Sequence, residues 1–135
     1  SFSQLYYHVV WATRGREPLL TPAVLASVQR AVRRKGEELG ATTHAVNGPE
    51  DHLHLAVELP ATLAVADYVQ NVKGHASWAV NHDENLAATL YWQNGYSALT
   101  FRKSELSTVV RYILRQQEHH ATSNLWTDFE PAEGK

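Results

Sequence analysis

Asp51-His52-Leu53-His54-Leu55-Ala56-Val57-Glu58 is the stretch from which the rest of the chain can be organised. Successive side chains of a strand point to opposite faces, so Leu53, Leu55 and Val57 form one face and His52 and His54 the other. The first face suits a core and the second suits chemistry. Upstream, Asn47-Gly48-Pro49-Glu50 is a turn-forming loop and Thr42 to Val46 a short strand, which together predict an antiparallel hairpin. Downstream, Pro60 closes the strand. Thr62 is the expected cap of a helix whose stripe is Leu63, Ala66, Val69, Val72 and Ala76, ending near Asn81.

Further out, Leu5 to Thr13 is aromatic and β-branched and reads as a strand, followed by the loop Arg14-Gly15-Arg16-Glu17-Pro18. Thr21 and Pro22 supply an N-cap and a first-turn proline, and Val24, Leu25, Val28, Ala31 and Val32 recur at helical spacing until Gly40. Beyond the polar His82-Asp83-Glu84-Asn85, Leu90 to Trp92 and Tyr96 to Phe101 flank Gln93-Asn94-Gly95, where a strand ends or turns. Ser104 is the expected cap of a last helix running through His120, with Leu106, Val109, Val110, Ile113 and Leu114 on one face. Trp126 and Phe129 are expected to pin the tail.

The element order strand, helix, strand, strand, helix, strand, helix predicts an α+β fold. It is the ferredoxin-like (RRM-like) arrangement, an antiparallel sheet with helices on one face, extended by a C-terminal helix. One domain covering residues 1–135 is expected, because that length and 44% hydrophobic residues suffice for a single core. No apolar run is long enough for a membrane span and the start lacks a signal-peptide layout, so the expectation is a cytoplasmic chain with no membrane partner. Zero cysteines exclude disulfides and thiolate-ligated metals, which leaves eight histidines, carboxylates and amides for metal chemistry.

A net charge of −2 argues against coating nucleic acid by charge alone. The basic residues are uneven: Arg14, Arg16, Arg30, Arg33, Arg34 and Lys35 face a single acid, Glu17, in residues 1–35. That is either a local basic face or the solvated side of a helix. His52 and His54 could share one metal ion, or form polar surface on a half-buried sheet, and a tight site needs a third ligand. In Arg111-Tyr112-Ile113-Leu114-Arg115-Gln116-Gln117, Tyr112 and Gln116 are one helical turn apart at the edge of the apolar stripe. They can face one pocket, or Tyr112 can be an amphipathic residue at the core margin.

Taken together these segments resemble the single-tyrosine HUH transposases of small insertion sequences, the IS200-like transposase family, and their domesticated relatives. Tyr7-His8-Val9-Val10-Trp11-Ala12-Thr13 and the loop after it are similar to that family's opening strand. Asp51-His52-Leu53-His54-Leu55 is similar to its His-hydrophobic-His signature. Asp67 to Gly74 resembles its second helix, Trp92-Gln93-Asn94-Gly95-Tyr96 its aromatic-glycine turn, and Val110 to His120 its tyrosine helix. The likeness runs in order over about residues 5–120.

The resemblance implies that His52, His54 and Gln116 ligate a divalent ion, Mg²⁺ or Mn²⁺, and that Tyr112 is the catalytic nucleophile on the last helix. It implies cleavage and rejoining of single-stranded DNA through a covalent 5′-phosphotyrosine, acting on hairpin-bearing element ends as a homodimer. Arg14, Arg16 and Lys73 are candidates for nucleic-acid contact, Lys73 being alternatively an ordinary solvated lysine. A free phenol is protonated up to about pH 10, so a proton acceptor is required. His119 is a possible accessory group for that role, or a cation favouring a helix C-terminus. The alternative function is a non-catalytic single-strand binder stacking bases on Tyr6, Trp11 or Tyr96. A two-histidine phosphoesterase built on His75-Ala76-Ser77 and His120-Ala121-Thr122 fails, because those segments read as helix and helix end, not as strands facing a cleft.

Overall fold

The computed structural model describes residues 2–116. Four strands, β1 (Leu5–Ala12), β2 (Thr42–Asn47), β3 (His52–Leu59) and β4 (Ser97–Phe101), form one antiparallel sheet in the order β2-β3-β1-β4. With α1 (Pro22–Glu38) after β1 and α2 (Val65–Asn81) after β3, this is the ferredoxin-like order expected from the sequence. A further helix, α3 (Leu106–Leu114), follows β4.

The register explains how the sheet acquires two different faces. Val9 pairs with Leu55 and Trp11 with Leu53, and these side chains enter the main core with Val24, Val28 and Val32 of α1 and Val69, Val72 and Val80 of α2. On the other face Val10 pairs with His54 and Ala12 with His52. There a second, small core joins Ala45 of β2 and Ala56 of β3 to Tyr112 and Ile113 of α3. The two alanines leave shallow ground on which α3 can lie close to the strands. The helices are therefore divided, with α1 and α2 on one side of the sheet and α3 on the opposite side.

Local chemistry sets most element ends. Thr21 caps α1, its hydroxyl accepting from the Val24 amide at 3.3 Å, and Gly40 leaves the helix at φ 82°. Helix α2 starts later than Thr62 suggested: Ala64 is its N-cap and makes no side-chain cap bond. Leu90 to Trp92 is not a strand; Trp92 makes a single isolated bridge to Thr13. Residues 103–105 form a 3-10 turn, where the Arg102 amide donates to Glu105 at 2.9 Å, so Ser104 does not cap α3. Leu114 is 56% exposed and lies off the packed stripe. The expected continuation to His120 and the tail aromatics Trp126 and Phe129 lie outside the described residues. No helix among the described residues is long and apolar enough to cross a membrane.

Candidate active site

The polar face of the sheet gathers side chains from β1, β3 and α3. His52 and His54 are two residues apart on β3, and both are fully buried. Their ring centroids are 5.0 Å apart. The Tyr112 ring approaches His54 edge-on at 5.5 Å, and Tyr112 itself is buried. Gln116 follows the break at Arg115 that ends α3, is fully buried, and directs its amide nitrogen toward the Tyr112 carbonyl at a long 3.4 Å. The expected quartet of His52, His54, Tyr112 and Gln116 is thus drawn from one face and one helix end.

Three further residues shape this face. His8 of β1 lies diagonally across from His54, and its Nε2 is 2.8 Å from His54 Nδ1. Asp51 Oδ1 is 2.8 Å from His52 Nδ1, so both imidazoles of the pair have their Nδ1 engaged by a neighbour. Asn47, opposite His54 on β2, donates its amide to the carbonyls of Ile113 at 3.1 Å and Leu114 at 3.2 Å. Those are carbonyls of the last helical turn, where intrahelical donors run out, that of Ile113 also being reached by the Arg115 amide. Asn47 thereby ties the end of the tyrosine helix to the strand beside the histidines.

Arg16 is recruited to the same site. Its Nε donates to Asp51 Oδ2 at 3.2 Å, while its Nη2, 3.3 Å from His52 Nδ1, can only donate and makes no hydrogen bond to a nitrogen whose proton faces Asp51. The Arg16 backbone sits at φ 57°, a left-handed conformation costing about 1–2 kcal/mol in a residue with a Cβ. Burial pushes the Asp51 carboxyl up, but the hydrogen bonds and charges of His52 and Arg16 outweigh it and hold Asp51 below its ordinary value. An ionised acceptor at Nδ1 keeps the proton on that nitrogen of His52 and presents the Nε2 lone pair.

Gly48 is required by close approach. A Cβ there would meet the His52 carbonyl oxygen at 2.1 Å, so the β2–β3 loop crosses directly over the backbone that carries the first histidine. Lys73 and Arg14 are placed differently from this group. The Lys73 ammonium, its pKa lowered by burial, donates to the carbonyls of Gln93 at 2.8 Å and Gly95 at 3.3 Å. It holds the aromatic-glycine turn against α2. The Arg14 guanidinium lies over the Tyr91 ring at 4.5 Å. His119 is outside the described residues.

Among the described residues no three His, Cys, Asp or Glu side chains converge as a metal site. Gln116, buried at the end of the tyrosine helix, is an amide that could serve as a further donor. Two buried imidazoles with both Nδ1 atoms engaged, plus an amide oxygen, are a chemically suitable set for a borderline divalent ion. Base stacking on β1 is not available to Trp11, which is fully buried in the main core, or to Tyr6, which is 5% exposed; Tyr96 is 37% exposed.

Fold and site together define a ferredoxin-like domain with a paired-histidine strand facing a tyrosine helix. The chain belongs to the IS200-like transposase family, whose model matches residues 1–116. It is 23% identical over 120 residues to the ISDra2 transposase TnpA of Deinococcus radiodurans, covering 85% of this chain and 86% of that protein. A crystal structure assigned to a transposase of Deinococcus radiodurans R1 superposes with a TM-score of 0.65 at 23% identity, covering 86% of this chain and 93% of that one. The REP-associated tyrosine transposase bound to a REP hairpin superposes with a TM-score of 0.67 at 15% identity, covering 89% of this chain and 71% of that one. At these identities the two structures speak for the fold.

Proposed function

We propose that this chain cleaves and rejoins single-stranded DNA with Tyr112 as nucleophile, as part of DNA transposition. The observation carrying this reading is the Tyr112 ring set edge-on to His54 at 5.5 Å, on the sheet face opposite the main core. The Tyr112 oxygen attacks phosphorus in line. An O–P bond to tyrosine forms as the P–O3′ bond breaks, the phenolic proton departs, and the leaving 3′ oxygen takes up a proton. The product is a 5′-phosphotyrosine with a free 3′-hydroxyl. Attack by a second strand's 3′-hydroxyl reverses the step, so the bond energy is retained.

His52, His54 and Gln116 would hold the divalent cation. When bound, it supplies charge withdrawal from the scissile phosphate. Two nitrogens and one amide oxygen favour Mn²⁺ over Mg²⁺, which prefers oxygen ligands. Asp51 and Arg16 orient His52, and Asn47 keeps Tyr112 on the sheet. Hairpin-bearing DNA ends are the proposed substrate, in keeping with the hairpin bound by the REP-associated relative. Arg16, beside Asp51 and His52, and Arg14, over the Tyr91 ring, are candidate phosphate contacts, whereas the Lys73 ammonium is committed to loop carbonyls.

Incubation with end-labelled single-stranded DNA and Mn²⁺, followed by denaturing electrophoresis, should give a covalent protein–DNA band that Tyr112→Phe abolishes while DNA binding persists. An adduct formed by Tyr112→Phe at the wild-type rate, or mapped to another tyrosine, would refute the assignment. The active species is proposed to be a homodimer, so that two sites serve two strand ends; light scattering that found a monomer with full cleavage activity would refute that.

A further inference from the structure

We infer that His8 is a positioning residue for His54: it accepts a hydrogen bond from His54 Nδ1 and so fixes the tautomer in which His54 Nε2 offers its lone pair. The inference rests on the metal reading proposed above and concerns a residue on a different strand, 46 positions away in sequence.

The argument starts from the short contact between two ring nitrogens, His8 Nε2 and His54 Nδ1, at 2.8 Å. Two neutral imidazoles at that distance must share one proton. If both nitrogens carried hydrogen they would clash, and if neither did the lone pairs would repel. The tautomers of the two rings are therefore coupled. With the proton on His8, His54 Nδ1 accepts, His54 Nε2 carries the hydrogen of the neutral ring, and that nitrogen cannot ligate. With the proton on His54 Nδ1, His8 accepts and His54 Nε2 is a ligand. His8 is 2% exposed and His54 fully buried, so the contact between the two rings is shielded from solvent.

The neighbouring histidine supplies the parallel. His52 Nδ1 faces the Asp51 carboxylate at 2.8 Å, an acceptor that leaves the Nδ1 proton in place. Both members of the pair thus use Nδ1 for a neighbouring side chain and are left to present Nε2. The partners differ in kind: an acidic side chain adjacent in the chain for His52, and an imidazole supplied by strand pairing for His54. His8 is on the correct face because the β1–β3 register sets it opposite Ala56, one pleat from His54, where the small alanine leaves the ring room to lean across.

The test combines a tautomer measurement with a metal titration on the intact chain. Long-range ¹H–¹⁵N correlation spectra of the metal-free, histidine-labelled protein should show His54 protonated on Nδ1 and His8 unprotonated on Nε2. His8→Phe keeps a ring but removes the acceptor, and should weaken Mn²⁺ binding by about 10- to 100-fold, read by electron paramagnetic resonance of free Mn²⁺. His8→Gln, whose amide oxygen reaches about as far as Nε2, should restore affinity to within about threefold of wild type, as expected for a restored hydrogen bond. His54 protonated on Nε2 in the wild-type protein, or His8→Phe binding Mn²⁺ as wild type does, overturns the inference. So does a His8→Gln variant no better than His8→Phe, since the role would then be steric. A wild-type protein that does not bind Mn²⁺ overturns the metal reading instead, and the tautomer spectrum still decides the role of His8.

Discussion

Replacing Asn47 by alanine should detach the tyrosine helix without unfolding the sheet. Helix α3 has only nine residues, too short to be stable by itself in water. Among the described residues it packs through Tyr112 and Ile113 on Ala45 and Ala56, with Phe101, Val109 and Val110 at the margin, and receives two hydrogen bonds from Asn47. Each bond contributes about 1–1.5 kcal/mol net. The Leu114 carbonyl is partly exposed and can turn to water. The sum is about 2–3 kcal/mol, equivalent to a 30- to 150-fold loss of hydrogen-exchange protection at roughly tenfold per 1.4 kcal/mol. That loss should fall on the amides of α3 and spare those of β1 and β3. Asn47→Asp is nearly the same size, but turns a carboxylate toward two carbonyl oxygens at the negative end of a helix, and should be worse than alanine. Protection in α3 unchanged within threefold in Asn47→Ala, or Asn47→Asp better protected than Asn47→Ala, would refute the reasoning.

Asp51→Asn should lower Mn²⁺ affinity by about 10-fold or more, because a neutral amide no longer secures the Nδ1 proton of His52 or the Arg16 guanidinium; equal affinity by titration would show that the carboxylate does not orient the ring. Tyr68 gives a pH prediction. Burial pushes its phenol well above the ordinary value, so between pH 10 and the native value the unfolded chain loses a proton that the native one keeps. Its contribution is complete below about pH 10 and declines above it by up to about 1.4 kcal/mol per pH unit. Urea unfolding of wild type and Tyr68→Phe from pH 9 to 11.5 should show the steeper decline in wild type; parallel curves would remove the effect.

The sequence carried the fold because its strongest signals are local and repeat. Thr21, Pro22 and Gly40 bound α1 where expected, and the alternation of Leu53, Leu55 and Val57 oriented β3 correctly. Thr62 and Ser104 misled because a cap depends on the entering backbone angle, which a lone threonine or serine does not determine. Of the site, the histidine pair and the tyrosine were visible as motifs, and the structure brings them together. Their supports were not. Tyr6, His8 and Val10 alternate, so His8 belongs to one face of β1, but which face, and beside which residue of β3, is a matter of register between segments far apart in the chain. Asn47 reads as part of a turn until the strand is seen to extend through it. Trp11 has the composition of a stacking platform and the register of a core residue.

The division of the helices across the sheet also has a consequence for the order in which the parts of the proposed site emerge from the ribosome. The strands bearing His8, His52 and His54, and the two helices that roof their reverse side, are all translated before β4 and α3. A chain leaving the ribosome can therefore pair the strands that carry the histidines before the helix bearing Tyr112 has emerged to dock. Tyr112 arrives last among the described elements and settles onto ground already prepared by Ala45, Ala56 and Asn47. On the function proposed above, assembly of the site would therefore be completed by the docking of that final helix against the finished sheet.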